Sequence, residues 1–196
     1  MTELKLAPQD RTVERGAVVA GEPSEEERLF RAVFEEHFER VCRNLRRLGV
    51  RERELEDYAH EVFIVVHRHL HEYDRARPMP PWLFGITLRV ASSYRQRPRY
   101  QREILDDETL EDCAPVDPVD LEARWSLRRA LATLSEEKRA ILIMHDLEEY
   151  TMPEIAHVLA LPLNTAYSRL RLARADVRQA LSEVESVIDD GKGSRR

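Results

Sequence analysis

The chain has 196 residues, 31 basic against 37 acidic, for a formal net charge of −6 and a pI near 5.7. Charged residues make up 35% and glycine only 6 positions, a balance that favours helices and leaves room for one medium domain or two small ones. The acidic total argues against a protein that grips duplex DNA unaided, since that grip comes from neutralising phosphates.

Residues 1–23 mix charges with Pro8, Gly16, Gly21 and Pro23 without periodicity and are expected to form a flexible tail with no signal-peptide core. Ser24 ahead of Glu25, Glu26 and Glu27 has the pattern of an N-cap with acids over a first helical turn. Phe30, Phe34, Phe38, Val41, Leu45 and Leu48 then recur at steps of four and three, predicting a long amphipathic helix that stops at Gly49.

A second helix is expected from about Glu52 to Tyr73, with Leu55, Tyr58, Ala59, Val62, Val66 and Leu70 facing a core. Glu54, Glu56, Asp57 and Glu61 crowd one end of its other face. Such a cluster is either solvated surface or a dock for a basic partner. Prolines 78, 80 and 81 then hold the chain extended, and Pro81 suits the first position of a third helix, Trp82 to about Gln96.

That third helix carries Trp82 and Tyr94 and runs into Arg95, Arg97, Arg99 and Arg102. Rings beside a basic run suit unpaired nucleic acid, because rings stack on bases while guanidinium groups follow the backbone. The same rings at helical spacing also suit a core. From Glu103 to Glu122 the composition turns acidic, with Pro115 and Pro118, and reads as a linker.

Beyond it, Leu121–Leu134 is expected to be one helix and Ser135 the cap of another, with Ile141, Leu142, Met144 and Leu147 on its inner side. In Thr151–Leu181 a short helix, a turn at Leu161–Pro162 and a longer helix follow. Ala166, Leu170, Ala173 and Val177 give the longer helix a packing stripe, and Arg169, Arg171, Arg174 and Arg178 fall outside it. This is a helix-turn-helix pattern, with arginines able to reach phosphates and guanine edges in a major groove. A plain helix pair with a solvated arginine face would look the same.

The expected architecture is all-α: a unit at 24–102, the linker at 103–122, and a unit at 123–185 ending in the helix-turn-helix. A short tail, 186–196, should fray. Cys42 and Cys113 are too few for a disulfide framework, and no apolar run approaches the roughly 20 residues of a membrane span, so a cytoplasmic protein without membrane insertion is expected. His67 and His71 are four apart on a helix but lack a third ligand at a supporting spacing, so no metal site is expected. There is no Gly-rich phosphate loop and no nucleophile elbow. No enzyme activity and no cofactor are expected.

The order of parts resembles that of bacterial RNA polymerase sigma factors of the extracytoplasmic-function (ECF) type, over about Leu29–Leu181. Residues 54–63, ELEDYAHEVF, are similar to the family's signature for docking on core polymerase. Residues 81–89, PWLFGITLR, resemble the helix that captures and melts the −10 promoter element, while 134–142 and 164–174 resemble the domain that reads the −35 element. The resemblance implies that Glu56, Asp57 and Glu61 bind core polymerase. It implies that Trp82, Arg89, Tyr94, Arg95 and Arg97 handle the melting region, and that Thr165, Tyr167, Ser168, Arg169, Arg171 and Arg174 bind the upstream element. An anti-sigma partner is implied as well. Asn164, Ala166, Tyr167 and Leu172 depart from the family's common Gly, Val, Lys or Arg, and Arg; Arg89 stands where many members have Asn, and Gly85 where Arg is usual. These departures bear on promoter preference rather than on fold. The rival expectations are a dimeric helix-turn-helix regulator, for which no heptad seam is visible, and a scaffold whose arginine helix binds an acidic protein.

Overall fold

The computed structural model describes residues 24–97 and 118–193, and among these every regular element is helical. Helix α1 (Glu25–Arg47) begins on a reciprocal cap: the Glu27 N–H donates to Ser24 Oγ at 3.1 Å, and the Ser24 N–H to the Glu27 carboxylate at 2.7 Å. It ends at Gly49, whose φ of 101° lets Gly49 and Val50 donate back to the Arg46 and Leu45 carbonyls at 3.1 and 2.9 Å. A side chain would be strained in that backbone conformation.

After a 3-10 turn at Glu52–Glu54, α2 runs Leu55–His69 and closes in a second 3-10 turn, Leu70–Glu72. Helix α3 (Met79–Arg95) starts ahead of the expected Trp82, because Pro80 and Pro81 sit in its first turn, where the missing N–H groups have no intrahelical partner to lose. Val41, Leu45, Val62, Val66, Leu83 and Phe84 fill the space among the three helices.

In the second part, α4 (Pro118–Thr133) begins inside the stretch expected to be linker, with Pro118 pre-set for a first helical position. The rest of that stretch, with Arg99 and Arg102 before it, lies outside the described residues. Ser135 takes the cap position of α5 (Glu136–Leu142), but its hydroxyl makes no capping bond, and only its carbonyl accepts, from the Arg139 N–H at 2.9 Å.

The expected regular helix through Leu147 instead widens into a π turn at Ile143–Leu147. Ile143 and Met144 in this turn are both fully buried, continuing the run of buried residues from Arg139 to Leu142 in α5. Glu149, at φ 59°, ends the turn. Helix α6 (Met152–Val158) and the long α7 (Leu163–Gly193) complete the chain. The stretch from Ser186 that was expected to fray is helical to Gly193: no proline or glycine interrupts 182–190, and the helix continues through Gly191.

The two halves share a core. Phe84 of α3 stands edge-on to Tyr150, ring centroids 6.2 Å apart, and buried apolar residues run without a break from α1 to α7.

Candidate nucleic-acid interface

The short helix α6 is joined to α7 by a turn with its own geometry. Leu161 donates to the Ala156 carbonyl at 2.8 Å and Ala160 to His157 at 3.2 Å, with Ala160 left-handed at φ 51°. Ala166 then donates to the Pro162 carbonyl at 3.0 Å, starting α7 at once. Ala166, Leu170 and Ala173 are buried and fix which side of α7 faces inward.

The arginines expected on the open side part company. Arg169 reaches back to Glu137 of α5 at 3.1 Å. Arg174 is bound to Asp146 of the π turn through Nε at 2.9 Å and a second, shorter bond from Nη2. These hydrogen bonds hold the Asp146 carboxyl below the usual carboxylate range, against the opposing pull of partial burial, and His145 adds to them. Arg178 Nε donates to the Arg174 carbonyl along the helix at 3.2 Å. Arg171 is exposed and makes no ion pair among the described residues. Thr165, Tyr167 and Ser168 are exposed too, and the Ser168 hydroxyl donates to the Thr165 carbonyl at 3.0 Å.

The residues expected at a melting surface also separate. Trp82 is half-buried with its ring 5.1 Å from Tyr73, and together with exposed Arg89 it lines an open cleft of about 640 Å³. Tyr73 and Arg77 share that wall; Glu154, His157 and Val158 of α6 form the facing one, and Arg77 touches His157.

Tyr94 does not reach the surface. It is 3% exposed, donates its hydroxyl to Glu54 at 2.8 Å and packs edge-on to Tyr58 at 4.8 Å. Burial first, and the Glu54 carboxylate second, push its phenol well above the ordinary range. Its place is in the core, which corrects the surface expectation: at this point in α3 the inward stripe falls on the ring. Arg95 is half-buried 3.7 Å from Glu136. Arg97 is exposed, 5.1 Å above the Tyr58 ring and 3.9 Å from Glu61.

On α2, Glu56 and Asp57 are exposed and Glu61 is half-exposed, with Ile64 bare on the same side. Glu54 is diverted inward to Tyr94. His60 lies against Phe34 and Phe38, and His67 edge-on to Phe30 at 5.0 Å.

Sequence reasoning missed the polar seam between the halves. The Glu148 side chain, 5% exposed, sits 2.7 Å from Arg47 Nη1 and 3.7 Å from Arg40 Nε, both on α1. Buried Arg139 donates to the Leu48 carbonyl at 3.1 Å and to Ala132 and Leu134 at 3.0 and 3.2 Å. Ser92 of α3 bonds Glu136 of α5. Burial, with Glu148 second, pushes the Tyr150 phenol up to about 12. Arg139 and Leu48 lie 91 residues apart and Arg47 and Glu148 lie 101 apart, beyond any local pattern.

Comparison with known proteins places both halves. The family model for sigma-70 region 2 matches residues 33–100 and that for sigma-70 region 4 matches residues 124–177, together more than half of the chain. The ECF RNA polymerase sigma factor SigL of Mycobacterium tuberculosis is 28% identical over 172 residues, covering 86% of this chain and 97% of SigL. The ECF sigma factor SigE of Mycolicibacterium smegmatis is 29% identical over 159 residues; the match covers 77% of this chain but only 61% of SigE. CnrH, an RNA polymerase sigma factor of Cupriavidus metallidurans, is 26% identical over 173 residues. The solved structure of CnrH with the cytosolic domain of CnrY superimposes with a TM-score of 0.61 at 24% identity, over 80% of this chain and 89% of that one.

Proposed function

The chain belongs to the sigma-70 family, as an ECF-type sigma factor of bacterial RNA polymerase and not an enzyme, and from that premise we propose that it brings core polymerase to a set of promoters in the cytoplasm. The observation that carries the DNA-reading part is the outer face of α7, where Arg171 and Ser168 stand exposed over a helix anchored from behind by Ala166, Leu170 and Ala173. In this reading α6 and α7 form a helix-turn-helix, and α7 lies in the major groove of the −35 element. Arg169 braces α7 against Glu137 of α5 and Arg174 braces it against Asp146 of the π turn, and both also lie near phosphates.

Glu56, Asp57 and Glu61 serve as the dock for a basic surface of core polymerase. Trp82 supplies a ring on which an unpaired base of the −10 element stacks, with Arg89, Arg95 and Arg97 along the strand's backbone. Unstacking a base costs about a few kcal/mol, and a preformed aromatic platform offsets much of it. Helix α6 forms the facing wall of the open cleft that Trp82 and Arg89 line, so a strand that reaches the Trp82 ring passes between α3 and α6. The net charge of −6 is compatible with this work. A subunit held on polymerase gains effective concentration and shares the phosphate contacts, so it needs little DNA affinity of its own. CnrH is solved with the cytosolic domain of CnrY, which supports a comparable protein partner, an anti-sigma factor, for this chain.

Run-off transcription with purified core polymerase tests the reading. Promoter-dependent transcripts that require the chain are expected, and their absence on every promoter mapped after overexpression would sink it. A gel shift by the chain alone, at salt near physiological, would instead favour a regulator that acts without polymerase.

A further inference from the structure

Large apolar side chains left in solvent are few among the described residues: Ile64, Leu163, Tyr167 and Leu172. Three of these four lie within the first ten residues of α7. Leu163 and Tyr167, 43% and 54% exposed, are one turn apart, and Arg171 follows a further turn along the same flank. The inward positions between them, Ala166 and Leu170, already supply the packing against α5 and α6, so Leu163 and Tyr167 add nothing to the core.

An exposed leucine in front of an arginine is poorly explained by phosphate binding. Leu163 has no hydrogen-bonding group, so it can read neither a phosphate nor the donor and acceptor pattern of a base. In the major groove the apolar feature of a base edge is the C5-methyl of thymine. The amino-terminal turns of a recognition helix are the part that meets base edges.

We propose that Leu163 and Tyr167 read thymine methyl groups in the upstream promoter duplex, making them specificity-determining residues; this rests on α7 being the DNA-reading helix. Leu163 covers a methyl with its branched end, and the Tyr167 ring lies against a second methyl or the far side of the same one. Arg171 and Ser168 fix the helix on the phosphates and polar edges beside them. A protein partner is the weaker occupant, because two or three side chains fall far below the roughly 800 Å² per side of a stable protein interface. The adjacent guanidinium groups also match a polyanion.

The test uses holoenzyme assembled from the full chain and core polymerase. Duplexes are selected from a library randomised over the upstream element, and each thymine of the selected sequence is then replaced by deoxyuridine, which keeps the hydrogen-bonding edge and removes only the methyl. At one or two positions affinity should fall about fourfold, the effect of one buried methyl-sized group. Leu163→Ala or Tyr167→Ala should bind the thymine duplex about as weakly and lose sensitivity to deoxyuridine at the matching position, whereas Tyr167→Phe should retain it. Both side chains are exposed, and circular dichroism checks that the variants stay folded. Full tolerance of deoxyuridine, or sensitivity that survives in both alanine variants, overturns the proposal. Lost transcription at unchanged duplex affinity overturns it too, by placing the two side chains against protein. If Arg171→Ala weakens duplex binding while deoxyuridine is tolerated, only the methyl assignment fails; if Arg171→Ala changes nothing, the reading of α7 fails with it.

Discussion

Arg171 and Arg174 are three residues apart on one helix, yet their surroundings separate their roles. Arg174 is tied to Asp146 and Arg171 is tied to nothing within the described residues. Arg171→Ala should lower the slope of log affinity against log salt for promoter binding by about 1, while leaving stability within about 0.5 kcal/mol. Titrating holoenzyme binding across salt concentrations gives the slope. Arg174→Ala should instead lower stability by under about 1 kcal/mol, because its guanidinium is half in water and the pair is screened.

The same pair carries a pH signature. The Asp146 carboxyl is held below the usual range by Arg174. A group of this kind adds stability that is complete above its unfolded pKa of about 4 and disappears as pH falls through its lower folded value. The melting-temperature gap between the native chain and Asp146→Asn should therefore narrow as pH falls from about 5 to about 3. A gap that stays constant would show that Asp146 contributes nothing through its charge. At this scale the sequence told which α7 positions face inward, through Ala166, Leu170 and Ala173, but not which outward arginine finds an acid. That depends on Glu137 and Asp146, brought in by other helices. Tyr94 shows the converse: its helical spacing served a core and a surface reading equally, and only the Glu54 partner decides.

The elements were legible where backbone chemistry is local. Ser24 with Glu27, Gly49, and the prolines opening α3 each act within a turn of the chain. The π turn was not, because Ile143–Leu147 carries no proline or glycine that marks it, and its burial was compatible with a regular helix. The α6–α7 turn offers a direct test. Ala160 adopts a left-handed conformation, φ 51°, that disfavours a residue with a Cβ. Ala160→Gly should stabilise the protein by about 0.5–1 kcal/mol, the relief of strain less the added freedom of the unfolded chain. Chemical denaturation measures it, and a lower midpoint would contradict the assignment of strain. Leu170→Ala, at the buried stripe of α7, should cost about 2–5 kcal/mol by the same measurement.

For the molecule as a whole, the seam between the halves was invisible from the sequence. Glu148 meets Arg40 and Arg47 across more than a hundred positions, and Arg139 meets the end of α1. Glu148→Ala removes the carboxylate that the Arg40 and Arg47 guanidinium groups share and should cost about 1.5–3 kcal/mol. Since the loss falls on the joint rather than on either half, calorimetry should resolve one unfolding transition into two. A single transition at an unchanged temperature would mean the seam carries no energy.

The seam also sets the order of the kinetics. Positions 98–117, twenty residues, join the two halves, and a chain of that length spans at most about 70 Å. Were the seam to open, α6 and the α3 cleft would stay tethered within that radius, so each would meet the other at an effective concentration that dilution cannot lower. Reclosure is a first-order event, whereas capture of the opened chain by any separate macromolecule is second order. The outcome of such an opening would be governed by the concentration of the competitor, while the concentration of the chain itself would have no influence on how fast the joint reforms.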